Sequence, residues 1–456
     1  MSDNRDIAIN YAHQNHSSFI DDLINLVRIP SVSTYPQSKQ DMFKAADYLA
    51  DELRDLGAKN VQIFPTNGHP IIYGELSSGK VDSKTVLVYG HYDVQPPDPL
   101  DQWQSPPFEP EQRGDNLFGR GVSDMKGQVV ASLKAVESIV KTGTLPINIK
   151  FIFEGEEEIG SVNLEKFIQD NKDLLTCQVV LNPDSGMIAS DIPTIVYSLR
   201  GLAYFELRVY GPLHDLHSGV FGGILYNPAQ ALCVLVAGMH DQSGRITLPG
   251  FYDSVRLLSP EERREMLQLP MDDNYYLAQT GVKTLWGEEG YTPVERVGAR
   301  PTLEINGLYS GFTGHGSKTV IPSTAMAKIS MRLVPDQDPK EVHQQLINYL
   351  NQNNLPGIRW ELTSLTGGPA SITDRTSTET KALGLALESI WGRPPFYKRE
   401  GGSIPVVSSM QKILGVDSVL TGFGLPDDNI HSPNEKLHLP TWFMGIDSLI
   451  HFFFNL

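Results

Sequence analysis

The chain has 456 residues, of which 40% are hydrophobic, and a formal net charge of -17. That length can bury the cores of two domains, and the acidic balance argues against nucleic acid as a partner, because phosphate recognition needs a basic face. No apolar run is long enough to span a bilayer, and MSDNRDIAIN lacks the basic and then apolar order of a signal peptide, so the expectation is a cytoplasmic protein with no membrane partner.

Phe19, Leu23, Leu26 and Val27 fall on one face of a helix, and MFKAADYLADELRDL makes a second stripe that Gly57 closes at the C′ position. Strand patterns follow at 61–64, 71–76 and 85–90. The last, TVLVYGHYD, is apolar without alternation, as a strand covered on both faces is, and it leads into His91 and Asp93. Residues two apart on extended chain point the same way, so one can bind a metal while the other orients its ring. A helix over 126–141, a strand over 147–153, a helix near 163–171 and the strand CQVVLN come next. This alternation predicts an α/β domain with a mixed, mostly parallel sheet between helices, and ligands gathering beyond the carboxyl ends of the strands.

Near residue 199 the pattern changes. YFELRVYG and AMAKISMRLVPD alternate apolar and polar residues, as strands with one wet face do. With them go the helices NPAQALCVLVAGMHD, capped by Asn227 with Pro228 at its first position, and DPKEVHQQLINYL. These elements predict an inserted α+β domain over 199–381. The Pro-, Gly- and charge-rich stretch 243–300 reads as an extended excursion within it. ALGLALESIWG, the helix after GGSIP and the strand SVLTGFG restore the α/β pattern, so the first domain comprises 1–198 and 382–456. Cys177 and Cys233 both lie in apolar runs and read as buried thiols, with a bridge between them left open.

Five segments, GHYDVQP, GRGVSDMKG, FEGEEEIGS, NPDSG and HSPNEKL, each carry a His, Asp or Glu where a buried strand should end. A single such residue is ordinarily a cap or a turn former. Together they supply two imidazoles (His91, His431), a carboxylate that can bridge (Asp124) and further carboxylates (Glu157, Glu158, Asp184), which is what a pair of divalent ions needs. Mixed His and carboxylate sets suit zinc first, with manganese or cobalt as alternatives. Neighbouring residues on extended chain point apart, so in EGEEEIG one glutamate can face the ions while its neighbour addresses a water shared between them.

These segments, with DLHSG, KTVIP, ISMRLVPD and REGGSIP in the same order, resemble the carnosinase and cytosolic non-specific dipeptidase group of the co-catalytic zinc peptidases. The wider superfamily includes aminoacylases, desuccinylases and glutamate carboxypeptidases. The resemblance implies that His91, Asp124 and Asp184 bind one ion, that Asp124, Glu158 and His431 bind the other, and that Glu157 is the general base. It also implies that Asp93 orients His91 and that the Asp124-Met125 peptide is cis. Arg332, with Ser403, Gly402 and Thr319, would grip the substrate's free carboxylate. His217 would stabilise the oxyanion in the other subunit of a homodimer built through the inserted lid domain. Glu156, where the family commonly has a neutral residue, would point to solvent. The activity implied is hydrolysis of dipeptides through a water bridging two metal ions. N-acyl amino acid deacylation or desuccinylation is the alternative within the superfamily. A non-catalytic scaffold is a third reading, but it should have lost ligands or the base, and none of the seven residues His91, Asp93, Asp124, Glu157, Glu158, Asp184 and His431 is missing.

Overall fold

The computed structural model describes residues 2–456. The chain forms two compact units, one of Met1–Tyr197, Thr373–Lys398 and Pro405–Leu456, the other of Ser198–Ile372 and Arg399–Ile404. The first is built on a mixed sheet with the strand order Lys59–Phe64, Ile71–Leu76, Asn148–Glu154, Thr85–His91, Val179–Asn182, Ser418–Leu420, Thr194–Leu199. The four central strands, from Asn148–Glu154 to Ser418–Leu420, run parallel, and antiparallel joins flank them. Six of the seven residues of Thr85–His91 are buried, which explains its unbroken apolar run: both faces are covered.

Helices supply that cover. Lys126–Thr142 packs on Thr85–His91 and against both His16–Val27 and Leu439–Asn455. Phe19, Leu23, Leu26 and Val27 form the buried stripe of His16–Val27. Gly57, at φ 87°, ends the helix Lys39–Asp55 in the left-handed conformation that glycine adopts without steric cost. Lys126 is wholly buried and donates to the carbonyl oxygens of Leu26 (3.2 Å) and Ile29 (2.7 Å), holding the end of one helix against the start of another. Lys134 is paired with Asp22, Glu52 and Glu137, so one cation joins three helices. Among the described residues no helix is long and apolar enough to cross a membrane.

The second unit is an antiparallel sheet in the order Thr302–Ser310, Thr324–Leu333, Gly201–Tyr210, Arg359–Gly368. Burial alternates along Gly201–Tyr210, and the inner face, with Phe205, Leu207, Ile329 and Met331, shares its core with Leu232, Leu235, Leu346 and Leu350 from the helices Pro228–Ala237 and Pro339–Gln352. Asn227 caps the first of these through the N–H of Ala229 (2.9 Å). Cys233 stands on this helix and is exposed, contrary to expectation, whereas Cys177 is buried; both are free thiols. The helix is apolar nearly all round, but only Pro228, Ala231, Leu232 and Leu235 are buried.

The stretch 243–300 is not an extended excursion. It holds three short helices, Pro260–Met266, Asp273–Thr280 and Pro293–Gly298, with side-chain caps from Ser259, Asp272 and Thr292. The buried pair Arg300–Glu288 (2.7 Å) and the pair Arg263–Glu295 fasten it.

Candidate metal centre

Three neighbouring parallel strands of the first unit end at one place. Thr85–His91 delivers His91 at its last residue, Asn148–Glu154 runs into the turn of Glu157 and Glu158, and Val179–Asn182 runs into Asp184. Asn182 Oδ1 accepts the N–H of Asp184 (2.8 Å) and fixes that turn. Asp124 lies just before the helix Lys126–Thr142, and the Asp124-Met125 peptide is cis. His431 lies in the loop before the strand Lys436–His438, at φ 60°, a left-handed conformation uncommon outside glycine.

His91, Asp124 and Asp184 offer ligand atoms within 4.8 Å of one another, and so do Asp124, Glu158 and His431. Asp124 belongs to both groups. Its Oδ1 is 3.2 Å from His91 Nε2 and its Oδ2 is 2.9 Å from His431 Nε2, so each oxygen faces one imidazole. Asp184 Oδ1 stands 4.0 Å from His91 Nε2, and Glu158 Oε2 stands 3.3 Å from His431 Nε2.

A second layer holds these groups. His91 Nδ1 donates to the Asp93 carbonyl oxygen (3.0 Å), which leaves Nε2 turned toward Asp124. The Asp93 carboxylate accepts the N–H groups of Glu157 (3.2 Å) and Glu158 (3.1 Å), tying the imidazole strand to the glutamate turn. Two supports escaped the sequence reading. Gln95 Nε2 donates to Glu158 Oε2 (2.8 Å). Buried Glu435 accepts from the N–H groups of Gly121 (2.8 Å), Ser123 (3.0 Å) and Asp124 (3.1 Å) and from Arg120 (2.8 Å), so it shapes the loop that presents the shared carboxylate. Both stand inside quoted motifs, GHYDVQP and HSPNEKL, and that position was their only signal.

Glu156 does not reach solvent. It is 4% exposed and accepts from the N–H of His69 (3.0 Å) and from the N–H (3.1 Å) and Nδ2 (2.9 Å) of Asn163. The turn at Glu157–Ile159 sends this side chain inward, against Gly68, where a Cβ would lie 1.7 Å from Glu156 Oε1.

Burial pushes the Asp184 carboxyl up to about 7 and that of Glu157 up to about 9; His91 opposes this in both, and the neighbouring carboxylates add to it. For Asp124 burial acts in the same direction, but hydrogen bonds from His431 and His91 prevail and hold it well below the usual carboxylate range. Hydrogen bonds with Asp124 and Glu158 raise His431 to about 10. Burial alone would lower His91; its hydrogen bonds to Asp124 and Asp93 raise it instead. The cluster therefore gathers protons to neutralise crowded carboxylates. Its donor set of imidazole nitrogens and carboxylate oxygens fits two divalent cations, which would displace those protons.

In the second unit, half-buried Arg332 on Thr324–Leu333 donates to Ser403 Oγ (2.8 Å). Ser403 Oγ donates to the Arg200 carbonyl oxygen (2.5 Å), and the Gly402 carbonyl oxygen accepts the Arg200 N–H (3.1 Å). His217 is exposed, on the short strand Leu216–His217 that pairs with Val320–Ile321, and its Nδ1 accepts the N–H of Gly219 (2.9 Å). Beside it the Thr319 carbonyl oxygen accepts the N–H of Ser218 (3.1 Å).

The family model described as peptidase family M20/M25/M40 matches residues 87–455. The chain is 33% identical over 453 residues to the Cys-Gly metallodipeptidase DUG1 of Candida albicans, covering 94% of this chain and 93% of that protein. It is 33% identical to the human Beta-Ala-His dipeptidase, covering 98% of this chain and 91% of that protein. Among solved structures, the metallo-carboxypeptidase Sso-CP2 of Sulfolobus solfataricus superposes with a TM-score of 0.83 at 33% identity, over 95% of this chain and 98% of that one. The chain is a member of peptidase family M20/M25/M40.

Proposed function

We propose that the chain is a metal-dependent dipeptidase. One observation carries this reading: Asp124 is shared between two donor groups, each completed by one imidazole and one further carboxylate. The names of the Candida albicans and human relatives, both dipeptidases, support it. Two divalent cations at this cluster would polarise a scissile carbonyl and lower the pKa of a water toward neutrality. In this reading Glu157, its backbone pinned by Asp93, takes a proton from the attacking water and hands it to the leaving amine. Asp93 keeps His91 turned toward the ion it binds. Arg332 holds the substrate's free carboxylate in its planar fork, helped by Ser403, Gly402 and Thr319. His217, reaching in from a partner subunit, donates to the developing oxyanion.

Zinc is the cation we assign, with manganese or cobalt as alternatives, because the donors are imidazole and carboxylate without thiolate. We assign a homodimer through the second unit, which carries exposed apolar side chains at Val220, Ile224, Leu308 and Tyr309. Two free thiols favour the cytoplasm.

The test is hydrolysis of a dipeptide panel, alongside N-acetyl and N-succinyl amino acids, by protein stripped with chelator and then given zinc or manganese. Metal-restored cleavage of free dipeptides is expected. Cleavage of the acylated amino acids alone would replace the dipeptidase with the deacylase.

A further inference from the structure

Arg200 and Arg332, both in the second unit, make no ion pair among the described residues. Arg332 gives one N–H to Ser403 Oγ, and Arg200 gives its Nε–H to the Gly401 carbonyl oxygen (3.0 Å). Arg200 NH1 is buried and has no acceptor. The hydroxyl of Tyr276, on the helix Asp273–Thr280, is buried without a partner as well. The two orphans are neighbours electrostatically. Burial lowers the Arg200 guanidinium to about 10, the charge of Arg332 lowers it further, and Glu400, Glu304 and Tyr276 act the other way. Burial, with Tyr275 and Glu400, pushes the Tyr276 phenol up to about 12, so it remains a donor. Of the two carboxylates, Glu400 is turned to the N–H of Gly401 (2.8 Å) and Glu304 stands at an exposed position on Thr302–Ser310.

Buried donors without acceptors are costly, and cationic ones of this kind gather where a ligand supplies the missing oxygen atoms. A terminal carboxylate on Arg332 and Ser403 would leave Arg200 NH1 and the Tyr276 hydroxyl still unanswered. Two N–H or O–H donors match the two oxygens of one carboxylate. They match a carboxamide poorly, because its nitrogen would meet them donor to donor.

Resting on the dipeptidase reading, we propose that Arg200 and Tyr276 hold a second carboxylate, the side chain of an acidic carboxyl-terminal residue, so that Xaa-Glu and Xaa-Asp dipeptides are preferred substrates. The stretch 243–300 thereby acquires a task, since it carries Tyr276.

The test compares Ala-Glu with its near-isostere Ala-Gln. In the wild type kcat/KM favours Ala-Glu by about 10- to 100-fold, chiefly through KM, as a charge-assisted hydrogen bond provides. Arg200→Gln abolishes that preference, and Tyr276→Phe lowers it about fivefold, the size of a neutral hydroxyl bond. Arg200 also fastens Gly401, so if Arg200→Gln does not fold, Tyr276→Phe carries the test, because it removes an oxygen that has no partner among the described residues. Equal cleavage of both dipeptides by the wild type overturns the second carboxylate position and leaves the dipeptidase standing. Cleavage of neither, nor of any dipeptide in the panel, overturns the dipeptidase. The anion position is then judged by calorimetry of free glutamate against free glutamine with the full-length protein: tighter glutamate binding, weakened by Tyr276→Phe, supports it, and equal or absent binding overturns it.

Discussion

Glu157, half-buried, and Glu435, wholly buried, are both carboxyl groups near Asp124, yet they differ in what surrounds them. Glu435 spends its lone pairs on three backbone N–H groups and an arginine. Glu157 is fixed through its backbone and faces the charges of His91, Asp184, Glu158 and Asp124. Glu157→Gln should therefore keep two bound ions, counted by elemental analysis, while kcat falls by about 10²- to 10⁴-fold, the usual worth of a positioned base. Near-normal turnover would remove Glu157 from that role. Glu435→Ala should instead loosen the loop of Asp124 and weaken metal affinity by about 10- to 100-fold in a chelator competition, as loss of an outer support does. The thiols give a third contrast. Burial pushes Cys177 up to about 11, so at pH 8 it stays protonated as well as enclosed, whereas Cys233 is exposed. A thiol reagent should modify one cysteine rapidly at pH 8 and the second only after unfolding; two rapid thiols would contradict this burial.

Among the elements, Lys126–Thr142 carries an unusual share of the packing, and Lys134 near its middle serves Asp22, Glu52 and Glu137 on three helices. Lys134→Met should destabilise the protein by about 2–3 kcal/mol in urea titration, at the low end for a broken buried network because the carboxylates stay partly wet. An unchanged midpoint would show that the three helices do not depend on the pair. Legibility also differs by element. His91, Glu157, Glu158 and Asp184 could be read because each follows a strand that is apolar toward its carboxyl end, and a parallel sheet places such ends side by side. The inward turn of Glu156 could not, since it depends on a short 3-10 turn that breaks strand alternation. Glu435 was hidden differently: a polar residue beside a ligand looks the same in sequence whether it faces an ion or a backbone N–H. The short helices of 243–300 span too few turns for periodicity, although SPEE and TPVE, with a hydroxyl residue, a proline and a glutamate three positions on, are capping signals that could have marked two of them.

At the scale of the whole molecule the proposed reaction draws on a partner subunit. If His217 acts on the partner's substrate, mixing inactive His217→Ala with inactive Glu157→Gln should restore activity through hybrid dimers, toward about a quarter of the wild-type level per subunit if the two exchange at random. No recovery, with subunit exchange shown independently, would count against action across the dimer. Chain order is harder to read than chemistry: the return of the α/β pattern near the carboxyl end shows in sequence, but not where its strand enters the sheet. That strand, Ser418–Leu420, enters between Val179–Asn182 and Thr194–Leu199. During synthesis, then, Val179–Asn182 leaves the ribosome with a parallel edge unpaired and must wait until Ser418–Leu420 has been made. An open edge in a nascent chain invites pairing with other chains. Truncations ending before residue 418 should therefore aggregate rather than fold, and the growing polypeptide should depend on chaperones until Ser418–Leu420 emerges.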